Sequence, residues 1–120
     1  MLDFSCECLS QGECFIIRTN GYLDAVGGEK LCNAFEAGLA QGRQNFILNL
    51  VGSPVINSQG VTSIFEVVEQ VVDVHQGKIH YVGLNYTTKN VFRMVGLLLM
   101  GKEFETEEEA VKQVSTAPSS

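Results

Sequence analysis

The sequence predicts a single α/β domain, with a mixed β-sheet that is parallel in its centre and about four helices. Its 120 residues are enough for one hydrophobic core. A content of 45% hydrophobic and 18% charged residues excludes a chain that is disordered throughout. Strand-like segments alternate with segments of helical periodicity, an order that favours parallel strands joined by helices. We expect the domain to cover residues 1–114 and a flexible tail to cover residues 115–120.

Two strands and a helix are predicted in the first third of the chain. Residues 4–9 and 14–19 have strand-like composition, and residues 11–13 form the turn between them. The segment after the second strand carries apolar residues on one helical face at steps of four, and Gly42 ends it. These apolar residues are Leu31, Phe35 and Leu39.

A buried strand and a long helix come next. Residues 46–51 are a nearly continuous apolar run, which is typical of a strand covered on both faces, and residues 52–54 break it. Beyond Ser58 the period changes to that of a helix, which Gly77 closes. The predicted apolar stripe consists of Val61, Ile64, Phe65, Val68, Val71 and Val72, and the polar side of Glu66, Glu69 and Asp73.

The last part of the chain predicts a fourth strand and two helices. Residues 79–84 form the strand, and Thr87 or Thr88 is placed to cap a third helix that ends at Gly101. Residues 106–109 match a capping box at the start of a short last helix. The residues expected to point inward are Val91, Val95, Leu98 and Leu99 in the third helix, and Ala110, Val111 and Val114 in the last.

The charge balance excludes several classes of partner. Lys and Arg number 8 against 14 Asp and Glu, for a net charge of −6. No basic cluster is present that would neutralise phosphates, so we expect no nucleic acid partner and no anionic membrane surface. No apolar run approaches the roughly 20 residues of a membrane span, so we expect no membrane insertion. Residues 1–4 carry no basic n-region, so we expect no signal peptide and a cytoplasmic location.

The cysteines predict free thiols and no metal site. Cys6 and Cys8 share a face if their segment is a strand. Cys14 and Cys32 do not form a second close pair, however, and no histidine is near a cysteine in the sequence. Because a cytoplasm is reducing, we expect the four cysteines to be free thiols that pack as small buried apolar residues. We expect no metal and no cofactor.

Candidates for catalysis are sparse. Neither a dinucleotide fingerprint, a phosphate loop, a zinc-protease motif nor a nucleophile elbow occurs in the chain. His75 falls on the apolar face near the end of its predicted helix, and His80 is predicted to be a sheet-surface residue. Glu107, Glu108 and Glu109 are interpreted as a solvated helix start. We therefore expect no catalytic residues and no enzymatic activity.

The most informative segment is residues 49–60. Here a buried strand leaves the sheet through a tight turn and places Ser58 at the amino end of a helix. The ordinary structural interpretation is that Asn57 or Ser58 is the N-cap of that helix, since both residue types favour this position.

Together with residues 21–24, Gly-Tyr-Leu-Asp, this segment resembles the STAS domain, specifically the stand-alone anti-sigma factor antagonists of bacteria. Members of that family carry Gly-x-Leu-Asp after the second strand, and Asp-Ser-Ser/Thr-Gly-Leu-Gly at the start of the next helix. Residues 57–62 of this chain are Asn-Ser-Gln-Gly-Val-Thr. The serine and the first glycine match, whereas Asn57, Gln59 and Thr62 differ from the family pattern. The resemblance covers nearly the entire chain.

The resemblance implies a partner-switching regulator. The unmodified protein would bind an anti-sigma factor that is a serine kinase, and so free the sigma factor. Phosphorylation of Ser58 by that kinase would dissociate the complex, and a serine phosphatase would reset the cycle. The docking surface then expected is Ser53, Pro54, Asn57, Ser58, Gln59, Gly60, Ser63 and Glu66.

Two other functions compete with this one. One is a STAS scaffold that is not phosphorylated, or a subunit of a stress-signalling or lipid-transport assembly, which the changed residues around Ser58 favour more than a perfect match to the motif would. An enzyme that uses Ser58 as its nucleophile is disfavoured, because no general base is identifiable near that serine in the sequence.

Overall fold

A five-stranded sheet lies between helices on both faces in the computed structural model, which describes residues 3–116. The strand order is β1-β2-β3-β4-β5, with β1 antiparallel to β2 and all other neighbours parallel. The strands are β1 Ser5–Gln11, β2 Cys14–Asn20, β3 Asn45–Gly52, β4 Lys78–Val82 and β5 Gly101–Phe104. The helices are α1 Ala25–Ala40, α2 Ser58–Glu69, α3 Tyr86–Met94, α4 Leu97–Met100 and α5 Glu107–Thr116. The predicted α/β class with a mixed sheet is confirmed.

The central strand β3 explains the continuous apolar run in the sequence. Phe46 and Leu48 are fully buried in the larger core, which also contains buried residues of α1 to α4. Ile47, between them, is equally buried in a smaller core under α5. Because successive side chains of a strand point to opposite faces, a strand covered on both faces must be apolar at nearly every position.

A polar side chain caps the first turn at four helix starts. In each case its oxygen accepts a hydrogen bond from the backbone N–H three residues later, which satisfies a donor with no partner inside the helix. The pairs are Asp24–Gly27 (2.9 Å), Asn57–Gly60 (2.9 Å), Asn85–Thr88 (2.8 Å) and Thr106–Glu109 (3.1 Å). The cap of α3 is therefore Asn85, and the prediction of Thr87 or Thr88 is wrong.

The buried side of α2 differs in part from the predicted stripe. Val67 is buried although it was not expected to be, whereas other members of the stripe are only half-buried. A π-helical turn, Gln70–Val74, continues α2. A π-helical turn holds more residues than an α-helical one, so it rotates the side chains that follow. His75, expected on the apolar face, is exposed. The half-buried members of the predicted stripe are Val61, Phe65 and Val72.

The predicted third helix is two helices separated by Gly96. This glycine has a φ of 87°, which belongs to the left-handed region and breaks the helical period. Val95 and Leu99, expected to point inward, are consequently 40% and 93% exposed. The chain then forms the short edge strand β5, which the sequence did not predict.

Glu107 is not the solvated residue that the sequence indicated. Its carboxylate accepts two hydrogen bonds from the Arg18 guanidinium, at 2.7 and 2.8 Å, and one from the Asn49 amide at 2.6 Å. The hydrogen bond from Arg18 is the main reason that the pKa of Glu107 lies below its usual value. These contacts fasten the first turn of α5 to β2 and β3.

His80 and Cys8 also depart from expectation. His80, predicted at the sheet surface, is only 7% exposed, and both ring nitrogens lack a hydrogen-bond partner among the described residues. All four cysteines are free thiols, but only Cys14 is buried as expected, since Cys6 and Cys32 are half-buried and Cys8 is exposed. Burial raises the pKa of the Cys6 thiol to about 11.

The last helix extends to Thr116, two residues beyond the predicted end of the domain. Residues 1–2 and 117–120 lie outside the described residues, and so does most of the predicted tail. No helix within residues 3–116 is long and apolar enough to cross a bilayer.

Candidate functional site

Three loops meet at the edge of the sheet where the parallel strands end, which we call the carboxyl edge. Its loops are residues 21–24 after β2, 53–57 after β3 and 83–85 after β4. Leu23 forms an isolated bridge with Ile56, with hydrogen bonds Leu23 N to Val55 O (3.1 Å) and Asn57 N to Leu23 O (3.0 Å). The first two loops are thus held side by side. The third joins them because the Asn85 amide donates a hydrogen bond to the carbonyl of Pro54, at 2.8 Å.

Ser58 lies exposed at this edge, as the first residue of α2. The cap of the helix is its neighbour Asn57, whose side-chain oxygen accepts the Gly60 N–H at 2.9 Å. The choice that the sequence left open between the two residues is resolved in favour of Asn57. The Ser58 hydroxyl makes no hydrogen bond within residues 3–116, so capping does not occupy it. The position thus combines an accessible hydroxyl with the positive end of a helix.

Gly60 is required where the first two loops touch. It is buried, and a Cβ there would lie 2.9 Å from Ile56 Cγ2 and closer still to the carbonyl oxygen of Leu23. A larger residue would push the loops apart and displace the start of α2. Thr62, where the family pattern has a glycine, is exposed and donates a hydrogen bond to the Ser58 carbonyl at 3.0 Å.

The predicted docking residues divide by exposure. Pro54, Ser58, Gln59 and Glu66 are exposed, and Asn57 is half-buried. Ser53 and Gly60 are buried, with the Ser53 hydroxyl lacking a partner among the described residues. Ser63 is half-buried beside Gly28, where α1 and α2 pack closely. The Ser53 side chain therefore supports the surface from within, whereas Ser63 keeps part of its surface open to a partner.

Exposed apolar residues around Ser58 were missed by the sequence reasoning. Tyr86 is 81% exposed, and three exposed valines lie in or beside the same loops. Between the loop after β3 and α3 lies a small depression of about 230 Å³, lined partly by Val55 and Asn85. Tyr22 belongs to a recognised motif, but nothing in the sequence alone indicated that its ring would be exposed. The large exposed apolar residues at this edge, which we call the carboxyl-edge patch, are Tyr22, Val26, Val51, Val55 and Tyr86.

Carboxylates and a thiol lie near the exposed side of α2. Among residues 3–116 no three His, Cys, Asp or Glu side chains are grouped to hold a metal. Glu66 lines a groove between α1 and α2 together with Glu36 and Cys32. Burial, followed by the nearby carboxylates, raises the pKa of the Cys32 thiol, which makes it a poor nucleophile.

Comparison with known proteins gives the family. The model of the STAS domain matches residues 7–110. SpoIIAA of Bacillus in its phosphorylated form is 26% identical, with a TM-score of 0.72, over 93% of this chain and 99% of that chain. The unphosphorylated form of SpoIIAA is 23% identical, with a TM-score of 0.75, over 96% and 100%. An anti-sigma factor antagonist from Mycobacterium paratuberculosis is 17% identical, with a TM-score of 0.81, over 94% and 95%.

The sequence has no significant match among curated proteins. The STAS match nevertheless spans most of the chain, from β1 to the first turn of α5. The structural neighbours have the same fold over nearly the whole length of both chains. The chain belongs to the STAS domain family.

Proposed function

We propose that this protein is a cytoplasmic anti-sigma factor antagonist that acts by partner switching. In its unmodified form it binds an anti-sigma factor with serine kinase activity. Phosphate transfer from ATP to the Ser58 hydroxyl then releases it, and a serine phosphatase removes the phosphate. The observation that carries the proposal is the exposed, unbonded hydroxyl of Ser58 within the carboxyl-edge patch. In this proposal the chain is a regulator and not an enzyme.

The carboxyl-edge patch suits a protein partner. Its apolar side chains include two tyrosines, which are enriched in interfaces because they bury much area with few rotatable bonds. Pro54 and Gln59 extend the surface around the serine. A kinase that docks here would cover the Ser58 hydroxyl, so the state of that hydroxyl decides whether the two surfaces remain compatible.

The energetics favour a change of partner over a change of fold. A phosphoserine carries a charge of about −1.5 to −2 at neutral pH. At the start of α2 it faces the positive end of the helix, which stabilises it by ~0.3–1 kcal/mol. Inside a complex the same charge must be desolvated, and losing a well-matched buried contact costs about 2–5 kcal/mol. Because the second energy is larger, phosphorylation should dissociate the complex while the domain stays folded.

The relatives support a fold that tolerates the phosphate. SpoIIAA is known in both states, and its phosphorylated and unphosphorylated forms have TM-scores of 0.72 and 0.75 to this chain. Asn57 supports the same conclusion here, since it caps α2 and leaves the neighbouring hydroxyl available.

The test combines phosphorylation with binding. Kinases of the anti-sigma type encoded beside this protein are incubated with it and ATP, and the phosphorylated residue is located by mass spectrometry. We expect phosphate on Ser58 in the wild type and in Thr62→Ala, and none in Ser58→Ala. In calorimetric titrations Ser58→Ala should bind as tightly as the unmodified protein, and Ser58→Asp at least about tenfold more weakly.

Equal binding of Ser58→Ala and Ser58→Asp, with no phosphate on Ser58, would contradict partner switching. That result would favour the scaffold function instead, which the substitutions at Asn57, Gln59 and Thr62 also suggest. Phosphate on Thr62 alone would move the switch one turn along α2.

A further inference from the structure

A second apolar surface lies at the opposite edge of the sheet, where the parallel strands begin. We call this the amino edge. The large exposed apolar residues of the described chain that are not in the carboxyl-edge patch are all found at this end, at the last residue of the π-helical turn or around the break between α3 and α4. They are Val74, Met94, Val95 and Leu99. Leu99 is 93% exposed. Exposed apolar side chains that are grouped together commonly mark a surface that another molecule covers.

A groove of about 850 Å³ adjoins this apolar surface. Leu98, Leu99 and Met100 of α4 supply apolar side chains to it, and the backbone enters β5 at the same place. A methionine and leucines beside a concave surface are typical of sites that accept apolar side chains of a partner segment. The imidazole of His80 lines the groove too, but its nitrogens are covered and present no polar contact.

The charge of this groove is opposite to that of the whole chain. Lys78 and Lys102 line it, and neither forms an ion pair within residues 3–116. Glu13 is the single carboxylate among its described lining residues. A chain with a net charge of −6 thus presents two unpaired cations beside Leu99, the most exposed leucine among the described residues. Such an arrangement attracts a partner that carries carboxylates.

We propose that the amino-edge groove is a second docking site, which takes an acidic amphipathic segment of a partner protein. Apolar side chains of the segment lie against Leu98, Leu99 and Met100, and its carboxylates pair with Lys78 and Lys102. The concave shape favours a peptide segment over a flat bilayer. The site is at the opposite edge from Ser58, so it is independent of partner switching and permits two partners to bind at once.

Selection from a phage-displayed library of random dodecapeptides tests the proposal. Peptides are selected on the full-length wild-type protein, and their affinities are measured by fluorescence anisotropy. We expect enriched sequences that combine apolar and acidic residues. Their binding should weaken at least about tenfold in Leu99→Ser and in the double variant Lys78→Glu/Lys102→Glu. Val26→Ser, a truncation of an exposed apolar residue at the other edge, should bind as the wild type does, and so should Ser58→Asp.

Several results would overturn the proposal. No enriched peptide, or enriched peptides without acidic residues, would exclude an acidic segment as the occupant. Equal binding to the wild type and to Leu99→Ser would place the peptide elsewhere on the protein. Flotation of the wild type, but not of Leu99→Ser, with phosphatidylglycerol vesicles would assign this edge to a membrane. Thermal melts of the exposed-site variants confirm that they remain folded. A loss of peptide binding in Ser58→Asp alone would place the peptide at the carboxyl edge and would contradict a site at the amino edge.

Discussion

Asn57 and Ser58 are adjacent residues with different tasks at the start of α2. The side chain of Asn57 accepts the Gly60 N–H, whereas the Ser58 hydroxyl is exposed and has no partner in the described chain. The family pattern has an aspartate where this chain has Asn57. Both residue types cap helices about equally well, so the substitution preserves the geometry of the turn while it removes a charge. If Ser58 is phosphorylated, the phosphate consequently has an uncharged neighbour at position 57, whereas an aspartate there would repel it.

This division of tasks predicts different stabilities for two alanine variants. Asn57→Ala should lower the free energy of unfolding by about 0.5–2 kcal/mol, because the Gly60 N–H loses its acceptor. Ser58→Ala, which removes only an exposed hydroxyl, should change it by less than about 0.5 kcal/mol. Urea titrations of both variants and of the wild type measure the difference. A larger loss in Ser58→Ala than in Asn57→Ala would mean that the serine is the cap.

At the scale of elements, the two sides of the sheet are held in different ways. Helices α1 to α4 cover one face through a large apolar core, in which Tyr81 and Phe92 form an edge-to-face pair at 5.3 Å. The Tyr81 hydroxyl also donates a hydrogen bond to the Leu97 carbonyl at 3.0 Å. On the other face α5 is fastened at its start by Glu107 and packs through Ala110 and Val114. Helix α5 thus packs on the sheet through a smaller apolar core than α1 to α4 do.

His80 makes the packing of this face sensitive to acid. Burial, and then the charges of Lys78 and Lys102, lower the pKa of its imidazole below the usual value near 6.5. The folded protein therefore holds His80 neutral, and its ring lies 5.8 Å from that of Phe104. In the unfolded chain the imidazole gains a proton as the pH falls below about 6.5. Stability is then lost with falling pH, since the unfolded state binds more protons.

We expect the free energy of unfolding to decrease between pH 7.5 and 5.5, by at most ~1.4 kcal/mol per pH unit. His80→Phe keeps an aromatic contact with Phe104 and removes both unpartnered nitrogens, so its stability should be nearly constant over this range. His75→Gln removes the other histidine, which is exposed, and should retain the pH dependence of the wild type. Urea titrations at the two pH values provide the measurement. A loss of pH dependence in His75→Gln would mean that His75, and not His80, is responsible for the effect.

The sequence predicted elements with strong periodicity and missed those decided by local geometry. The apolar run of β3 and the motif before α2 were sufficient to identify the fold and the position of Ser58. The left-handed backbone at Gly96 and the π-helical turn after α2 were not predicted, because neither has its own apolar period, and each shifts the side chains that follow. Strand β5 has only four residues and no apolar run, so no sequence pattern distinguished it.

The partner surface was predictable only in part for a related reason. A motif identifies Ser58, but exposure depends on how the three loops pack against one another. Ser53 and Tyr86 show this, since the polar residue is 1% exposed and the aromatic residue 81%. Both values reverse what their side-chain chemistry would suggest. The unpaired lysines of the amino edge also come together only when β4 and β5 lie side by side, with His80 opposite Lys102.

At the scale of the whole molecule, the sheet and its helices separate two exposed apolar surfaces. Helix α2 begins at Ser58, and the turn that continues it ends at Val74. At a helical rise of 1.5 Å per residue these two residues are about 25 Å apart. The Debye length at physiological ionic strength is roughly 8 Å, so a charge at one edge is almost completely screened at the other.

We therefore expect a charge at Ser58 to act only within the carboxyl edge. In ¹⁵N-HSQC spectra, Ser58→Asp should shift the amide signals of the three loops and of the first turn of α2. The signals of Leu99 and Lys102 should stay at their wild-type positions, because the groove lies beyond the range of the screened charge. Lys102→Glu is the matched control, since it should shift signals at the amino edge and leave the signals of Ser58 and Tyr86 in place. Shifts at both edges from either single substitution would mean that the fold couples the two surfaces, and that they cannot bind their partners independently.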